Sequence, residues 1–212
     1  MARLKEYNGH YCESEYEYAF IGFLEAEGWK YSSGNNISRV TKRDVLIADD
    51  FKKFIADTNP DLTEDEVIQI YDNVRLVGAE SDFATLHKVY GWMVNGVQFT
   101  TQDGLPRMIP LIDFDNWDKN IFRVVNQFTV EYTNNGQKEN RRPDVLLFVN
   151  GMPLCVIELK NPADANATIY DAWEQINIRY WRDIPHLLHY CPLACISDGV
   201  KTRLGTVRTP YE

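Results

Sequence analysis

The stretch "RRPDVLLFVNGMPLCVIELKNP", residues 141–162, places charged residues at the ends of two apolar runs. The first run follows Asp144, and the second ends with Glu158 and Lys160. Between them lies Asn150-Gly151, a dipeptide that is typical of β-hairpin turns. Charges at the end of a buried strand are costly unless they are paired or used. The stretch therefore predicts either an ion-paired strand pair or a site for chemistry.

Strand alternation decides whether the two acids can meet. Glu158 and Lys160 share one face of the second strand, because successive side chains point to opposite faces. A plain two-residue turn would place Asp144 opposite Ile157, on the wrong face. A bulge with a left-handed Gly151 would instead place Asp144 on the Glu158 face, diagonal to Glu158. A metal site here therefore predicts a hairpin with an extra residue in its turn.

Two carboxylates and a lysine on adjacent strands suit phosphodiester hydrolysis. Mg²⁺ takes oxygen ligands such as those of Asp144 and Glu158 and keeps several waters. The metal lowers the pKa of a bound water and binds the phosphate, and the ammonium of Lys160 would orient the nucleophile or offset its charge. The alternative is a structural network in which Lys160 bridges the two acids.

The remaining elements predict a mixed α/β protein. Residues 13–27 have helical spacing and stop at Gly28, and residues 43–96 are interpreted as a helical insertion. Apolar runs separated by turn residues follow from Val97, which predicts an antiparallel meander. A helix over 164–182, capped by Asp164, and a final strand, "LACIS", complete the chain.

Composition and charge exclude several classes of protein. The 212 residues are 44% hydrophobic and 25% charged, with a net charge of −9, as in ordinary soluble proteins. This charge argues against a surface that binds nucleic acid everywhere, but it is compatible with a small basic groove. No apolar run is long enough for a membrane span, and no signal peptide is visible. The four cysteines are interpreted as reduced thiols, which predicts a cytoplasmic protein.

The opening stretch resembles the nuclease motif of the R subunit of type I restriction enzymes, a branch of the PD-(D/E)xK nucleases. "VVNQFTV" before it, "AWEQINIRYWRDIPHLL" and "YCPLACISDGVKTRLGT" after it, and the "GW" that closes the first helix resemble segments of the same family. The likeness covers most of the chain outside residues 43–96. It implies a restriction-endonuclease-like core, with a mixed central sheet flanked by helices. It further implies that residues 1–212 form one nuclease domain, the N-terminal piece of a longer chain.

The resemblance implies roles for the charged residues. Asp144 and Glu158 would bind Mg²⁺, and Lys160 would be the catalytic lysine. The substrate would be double-stranded DNA, cut without sequence specificity of this domain's own, and the partners would be the methyltransferase (M) and specificity (S) subunits. An ATP-driven translocase motor would lie beyond residue 212, because the chain contains no Gly-x(4)-Gly-Lys-Ser/Thr loop. ATP would therefore serve the full-length subunit and not this piece.

A further acidic residue of the family lies on the first helix and can complete the metal shell. Its position corresponds to Glu17, with Glu15 as the alternative. A local role for Glu17 stays open as well. Ser14 and Glu17 have the three-residue spacing of a capping box, in which the glutamate would bond the start of its own helix.

The family also resembles RecB-type nucleases, which carry a Gln-x-x-x-Tyr motif on the helix after the lysine. Here Gln175 and Tyr180 are one residue further apart, and Arg179 stands where the tyrosine is expected. Gln175 and Arg179 would share a face of an α-helix and could reach a phosphate together. Arg142 is a candidate for DNA binding in a basic rim. The other basic residues near the site in sequence are Lys138, Arg141, Arg179, Arg182, Lys201 and Arg203.

Two other functions stay open. The chain would be a catalytically silent docking module of a restriction or helicase complex if its carboxylates are structural. It would alternatively be a PD-(D/E)xK nuclease of another restriction or repair system. A zinc site is not predicted, because the candidate residues lack the Cys-x-x-Cys spacing of zinc knuckles. These residues are His186, His189, Cys191 and Cys195.

Overall fold

A computed structural model of the chain describes residues 13–78, 81–161 and 168–211. Its helices are α1 (Glu13–Ala26), α2 (Ala48–Thr58), α3 (Glu64–Arg75), α4 (Asp82–Asn95), α5 (Ile169–Glu174), α6 (Trp181–Asp183) and α7 (Pro185–Leu188). A π-helical turn, Gln175–Tyr180, joins α5 to α6, and the continuous helix over 169–183 is called the site helix below. Of the helices in these three ranges, none is both long enough and apolar enough to cross a membrane.

Most of the ten strands lie between α4 and α5 along the chain. They are β1 (Lys30–Ser33), β2 (Val97–Thr100), β3 (Pro106–Ile109), β4 (Phe122–Asn126), β5 (Val130–Asn134), β6 (Gln137–Arg141), β7 (Val145–Val149), β8 (Met152–Leu159), β9 (Leu193–Ser197) and β10 (Thr202–Thr206). Six of them form a central sheet in the order β1-β4-β7-β8-β9-β10. The last strand, β10, was not predicted; it extends the sheet by pairing antiparallel with β9.

The central sheet is mixed, as predicted. β1 and β4 are parallel, β8 and β9 are parallel, and the other pairs are antiparallel. Parallel neighbours need a long crossover connection. The connection from β1 to β4 contains α2, α3 and α4, and the connection from β8 to β9 contains the site helix. The predicted antiparallel meander is wrong, because β2–β3 and β5–β6 form separate two-stranded hairpins.

Helices cover both faces of the central sheet. On one face, Ile21 of α1 packs against Val145 and other odd-numbered residues of β7 and β8. On the other face, the site helix and the helices α2, α3 and α4 share a larger core with Leu146 and Val156. Because both faces are buried, β7 and β8 are continuous apolar runs rather than alternating ones.

Local signals end and start most helices where the sequence predicts. Thr63 and Glu66 form a capping box on α3, with Thr63 N donating to Glu66 Oε2 at 2.8 Å. Gly96, with φ of 85°, follows α4. The helical segment predicted from residue 43 starts at α2 instead, because Ile47 is still extended and its N–H donates to the carbonyl of Gly151 at 2.8 Å.

The site helix begins later than predicted. Thr168 caps it in a reciprocal box with Asp171, whose Oδ2 accepts from Thr168 N at 2.7 Å. The predicted cap, Asp164, lies outside the described residues. At the other end, Ile184 breaks the helix before the short α7.

The hairpin of β7 and β8 has a two-residue turn. Asn150 and Gly151 both have positive φ, 51° and 76°, and Val149 pairs with Met152 across them. The prediction of an extra residue in this turn is therefore wrong. The side chain of Asn150 is fully buried and donates to the carbonyl of Leu111 at 2.9 Å, so tertiary contacts hold the tight turn.

A β-bulge lies inside β8 instead. Phe148 pairs with Pro153, but Leu147 pairs with Cys155, which leaves Leu154 as the extra residue. One extra residue moves every residue beyond it onto the opposite face. The bulge predicted from the metal-site argument exists, three residues further along the chain than expected.

Candidate active site

Asp144 and Glu158 lie opposite each other at the ends of β7 and β8. The last pair in the register is Val145 with Ile157, so the next residues outward are the two acids. Asp144 Oδ2 accepts a hydrogen bond from the backbone N–H of Leu159 at 2.8 Å. The two acids share a face as predicted, but they are directly opposed and not diagonal, because the bulge changes the register.

Glu158 is fully buried. The hydroxyl of Tyr180 donates to its Oε1 at 2.6 Å, and Nε2 of Gln175 donates to its Oε2 at 2.6 Å. Burial raises the pKa of Glu158 well above its ordinary value and the charge of Asp144 raises it further, whereas the Tyr180 hydrogen bond and the charge of Lys160 lower it. A fully buried carboxyl group beside the half-buried Asp144 resists joint ionisation of the two, and a cation relieves that repulsion.

Gln175 connects Lys160 to Glu158. Nζ of Lys160 donates to Oε1 of Gln175 at 3.2 Å, while Nε2 of the same amide donates to Glu158. A primary amide has one acceptor and two donor hydrogens, so the lysine and the glutamate together determine its orientation. The predicted lysine and the predicted acid are thus joined through the site helix.

The π-helical turn brings Gln175 and Tyr180 together. A π-turn has i→i+5 hydrogen bonds, so residues five apart lie above one another. Nε2 of Gln175 accordingly lies 2.8 Å from the hydroxyl of Tyr180. The additional residue that separates this chain from the Gln-x-x-x-Tyr motif is absorbed by the turn, and Tyr180 remains at the site.

Arg179 has a partner other than the Gln175 hydrogen-bond network, and a joint role of Gln175 and Arg179 at a phosphate stays a prediction. Its Nη2 contacts Glu174 Oε2 at 2.7 Å, and its side chain is 47% exposed.

Part of the predicted basic rim is used in ion pairs. Arg141 and Arg182 both contact Asp183, at 2.6 and 2.7 Å, and Lys138 contacts Glu131 at 3.1 Å. Arg142 is exposed, and its charge lowers the pKa of Glu17, so it lies near the site. Arg142 therefore remains a candidate for contact with a phosphate.

Glu17 approaches the site from α1 and is 5% exposed. Ser14 lies inside α1, so the capping-box interpretation of Glu17 is wrong. The carboxylate instead accepts from Asn126 Nδ2 at 2.5 Å and from Gln127 Nε2, at 3.3 Å to each oxygen. Burial raises the pKa of Glu17, the two amides lower it, and Asp144 raises it again. Glu17 is therefore within electrostatic reach of Asp144.

Asn126 and Gln127 were not identified from the sequence. The sequence does contain a pattern that indicates them, because these two amides interrupt the apolar run "VVNQFTV" at the end of β4. The alternative first-helix acid, Glu15, is placed roughly 200° around α1 from Glu17 by the rotation of 100° per residue. The structure therefore favours Glu17 over Glu15.

The donor set suits Mg²⁺ in part. Within the described ranges, no three His, Cys, Asp or Glu side chains form a ready-made metal-binding group. Glu17 comes from α1, and Glu158 bonds to the site helix on the opposite face of the sheet. Asp144 and Glu158 nevertheless form a carboxylate pair, and Mg²⁺ is commonly bound by one or two carboxylates, with waters and phosphates completing its shell.

Two of the residues considered for a zinc site have other surroundings. Nε2 of His189 contacts Asp82 at 2.8 Å, and Cys191 is fully buried. Cys155, Cys191 and Cys195 are free thiols, and burial raises the pKa of Cys155 to about 12. Reactive cysteines need a thiolate, so Cys155 is a packing residue.

Comparison with known families places the chain in one of them. Residues 11–212 match the family described as the type I restriction enzyme R protein N terminus. The chain belongs to this family. Because the chain belongs to this family, the alternative of a nuclease from another restriction or repair system is set aside.

Two curated relatives match almost the whole chain. A putative type I restriction enzyme MjaIXP endonuclease subunit of Methanocaldococcus jannaschii is 34% identical over 206 residues, which is 92% of this chain and 19% of that protein. The type I restriction enzyme HindI endonuclease subunit of Haemophilus influenzae is 30% identical over 214 residues, or 94% of this chain and 20% of that protein. The chain thus spans about a fifth of the length of these relatives.

Proposed function

We propose that this chain is the Mg²⁺-dependent endonuclease domain of a type I restriction-modification R subunit, with a PD-(D/E)xK core. The observation that carries the proposal is the fully buried Glu158 directly opposite Asp144, with Lys160 bonded to the same amide as Glu158. This arrangement is unfavourable without a cation, and perturbed carboxyl pKa values cluster at functional sites. The family membership supports the same conclusion.

The described side chains have distinct roles in this proposal. When bound, Mg²⁺ would polarise a phosphoryl oxygen and activate a water. Asp144 and Glu158 would hold the ion, and Gln175 would keep both Glu158 and Lys160 in place. The ammonium of Lys160 would orient the attacking water and offset the charge that develops on the phosphate. Arg142 would bind a neighbouring phosphate of the double-stranded DNA.

The remaining activities belong to a longer protein in this proposal. Relatives that are about five times as long are named endonuclease subunits. ATP-driven translocation would reside in the remainder of the subunit, and sequence recognition and methylation in the S and M subunits. The domain itself would cut DNA without sequence specificity, in the cytoplasm, and would require Mg²⁺ but no ATP.

Divalent-metal binding tests the proposal. Mn²⁺ titrated into the 212-residue chain should show a site that Asp144→Ala abolishes and Lys160→Ala retains, because the lysine is not a ligand. Asp57→Ala is a matched control, since Asp57 forms an exposed ion pair with Lys53 on α2. Mn²⁺ binding by Asp144→Ala equal to that of the control would contradict the proposal.

A complete restriction complex tests the catalytic step. Asp144→Ala and Lys160→Ala should abolish DNA cutting there and leave ATP hydrolysis unchanged, because the motor is a separate part of the subunit. A parallel loss of ATP hydrolysis would indicate misfolding of the subunit and not a catalytic role.

A second candidate function is a docking module without catalysis. It is favoured by apolar side chains on the outer face of α4, where Phe83, Tyr90 and Val94 are 74%, 54% and 49% exposed. Their spacing of seven and four residues places them in one stripe. Retention of DNA cutting by a complex that carries Asp144→Ala would favour this candidate.

A further inference from the structure

Two adjacent residues hold the carboxylate of Glu17. Asn126, the last residue of β4, donates to Oε1 at 2.5 Å, and Gln127 donates to both oxygens at 3.3 Å. Successive side chains of a regular strand point to opposite faces, so two neighbours could not both reach one carboxylate. The φ of Gln127 is 56°, and this left-handed residue breaks the alternation. We call Asn126 and Gln127 the amide clamp.

The backbone around the clamp is tightly packed. A Cβ added to Gly34 would lie 2.5 Å from Phe128 Cα and 2.6 Å from Gln127 O, so only glycine fits against this corner. Positive φ is uncommon for a residue such as glutamine. Strained residues of this kind persist where their surroundings determine them, and they cluster at functional sites.

A third residue determines how the clamp is oriented. Asn126 is 1% exposed, and its Oδ1 lies 3.0 Å from the hydroxyl of Tyr31. An ionised carboxylate only accepts hydrogen bonds, so Asn126 must turn its Nδ2 towards Glu17. Its Oδ1 then faces Tyr31, whose hydroxyl donates. The chain of bonds Tyr31–Asn126–Glu17 therefore has one consistent direction.

We propose that the amide clamp consists of positioning residues that hold Glu17 for the outer shell of the metal site. Glu17 lies within electrostatic reach of Asp144, yet it does not form a three-carboxylate group with Asp144 and Glu158 among the residues that the structure describes. Mg²⁺ keeps several of its waters, and partners outside the direct ligands orient such waters. The inference rests on the proposed function, because it requires an ion at Asp144 and Glu158.

Mn²⁺ affinity of the 212-residue chain tests the clamp. Gln127→Gly removes the amide and keeps the left-handed backbone, which glycine adopts readily. We expect this variant, and Asn126→Ala, to bind Mn²⁺ about tenfold more weakly. Gln127→Asn keeps a shorter amide and tolerates positive φ, so it should recover part of the loss. Tyr31→Phe, which leaves the clamp in place but unoriented, should give a smaller loss.

Asn135→Gly is the matched control. Asn135 also has a left-handed φ, 49°, but it lies in the β5–β6 turn, away from the clamp. If the clamp variants lower the melting temperature while their Mn²⁺ affinity equals that of the control, the clamp is only structural and the inference is overturned. If Asn126→Ala does not fold, Gln127→Gly and Tyr31→Phe decide the outcome.

Asp144→Ala separates this inference from the proposed function. Loss of Mn²⁺ binding in Asp144→Ala, with control-like affinity in the clamp variants, overturns the inference alone. Unchanged Mn²⁺ binding in Asp144→Ala overturns the proposed function and the inference with it. Loss in Asp144→Ala together with a weaker site in Gln127→Gly supports both.

Discussion

Nε2 of Gln175 donates to the hydroxyl of Tyr180 at 2.8 Å, although the two residues are five positions apart. In an α-helix, residues that contact one another on the surface are three or four apart. The π-helical turn over Gln175–Tyr180 widens the helix by one residue and brings the pair onto the face that meets Glu158. The helix geometry therefore compensates for the longer spacing in the sequence.

Deletion of one residue from the π-turn should be tolerated at the site. Without Ile178, which is 46% exposed, Gln175 and Tyr180 become four residues apart and an α-helix can hold them together. We expect the deletion variant to bind Mn²⁺ as tightly as Ile178→Ala, which removes the same side chain and keeps the spacing. A weaker site in the deletion variant alone would show that the π-turn itself is required.

Glu158→Gln should stabilise the metal-free protein at neutral pH. The pKa of Glu158 is raised above its ordinary value of 4.5, so the native state holds the proton more tightly than the unfolded state. Stability from this group is therefore lost as pH rises from 4.5 through the native pKa. We expect the variant to gain about 1 kcal/mol or more over the wild type at pH 8, and little at pH 4, in urea unfolding.

Glu66→Gln is the matched comparison, because the pKa of Glu66 is shifted in the opposite direction. Backbone hydrogen bonds from Thr63 and Gln102 lower that pKa below 4.5. Its contribution to stability is present above pH 4.5 and is lost as pH falls through the native pKa. This variant should thus be less stable than the wild type at pH 8, and a gain in both variants would contradict the assignment of opposite shifts.

Gly151→Ala should destabilise the protein more than Gly136→Ala. Both glycines have similar positive φ, 76° and 78°, so an alanine has about the same unfavourable backbone conformation at either position. A Cβ on Gly151 would also lie 2.8 Å from Phe51 N of α2, whereas nothing lies within 4 Å of one on Gly136. We expect a difference of about 1–3 kcal/mol in the free energy of unfolding. Equal losses would mean that α2 moves away at little cost.

Arg179→Ala should leave metal binding and stability almost unchanged. Arg179 forms an exposed ion pair with Glu174, and such pairs contribute less than about 1 kcal/mol. Gln175→Ala, four residues earlier on the same helix, should weaken Mn²⁺ binding because it removes the amide that bonds to both Glu158 and Lys160. A stronger effect of Arg179→Ala than of Gln175→Ala would contradict the π-helical arrangement.

Strand alternation in the sequence predicts that the β7–β8 hairpin contains an extra residue, but not where that residue lies. Because side chains alternate between the two faces of a strand, Asp144 and Glu158 can share a face only if one extra residue separates them. The observed register contains one. Its position was not predictable, because Asn150-Gly151 already forms a good two-residue turn and Asn150 is held by contacts with distant segments. The extra residue, Leu154, therefore lies inside the strand.

The sequence by itself determined the features that depend on near neighbours: the capping box of Thr63 and Glu66, the turn at Asn150-Gly151, the apolar runs of β7 and β8, and the motif with its family. Tertiary structure decided the bulge, the π-turn and the partner of Glu17. Glu17 could have capped its own helix, but α1 packs on the sheet so that Asn126, 109 residues away, binds its carboxylate. A capping bond competes with such distant donors, and only the packed fold determines which of them reaches the buried carboxylate.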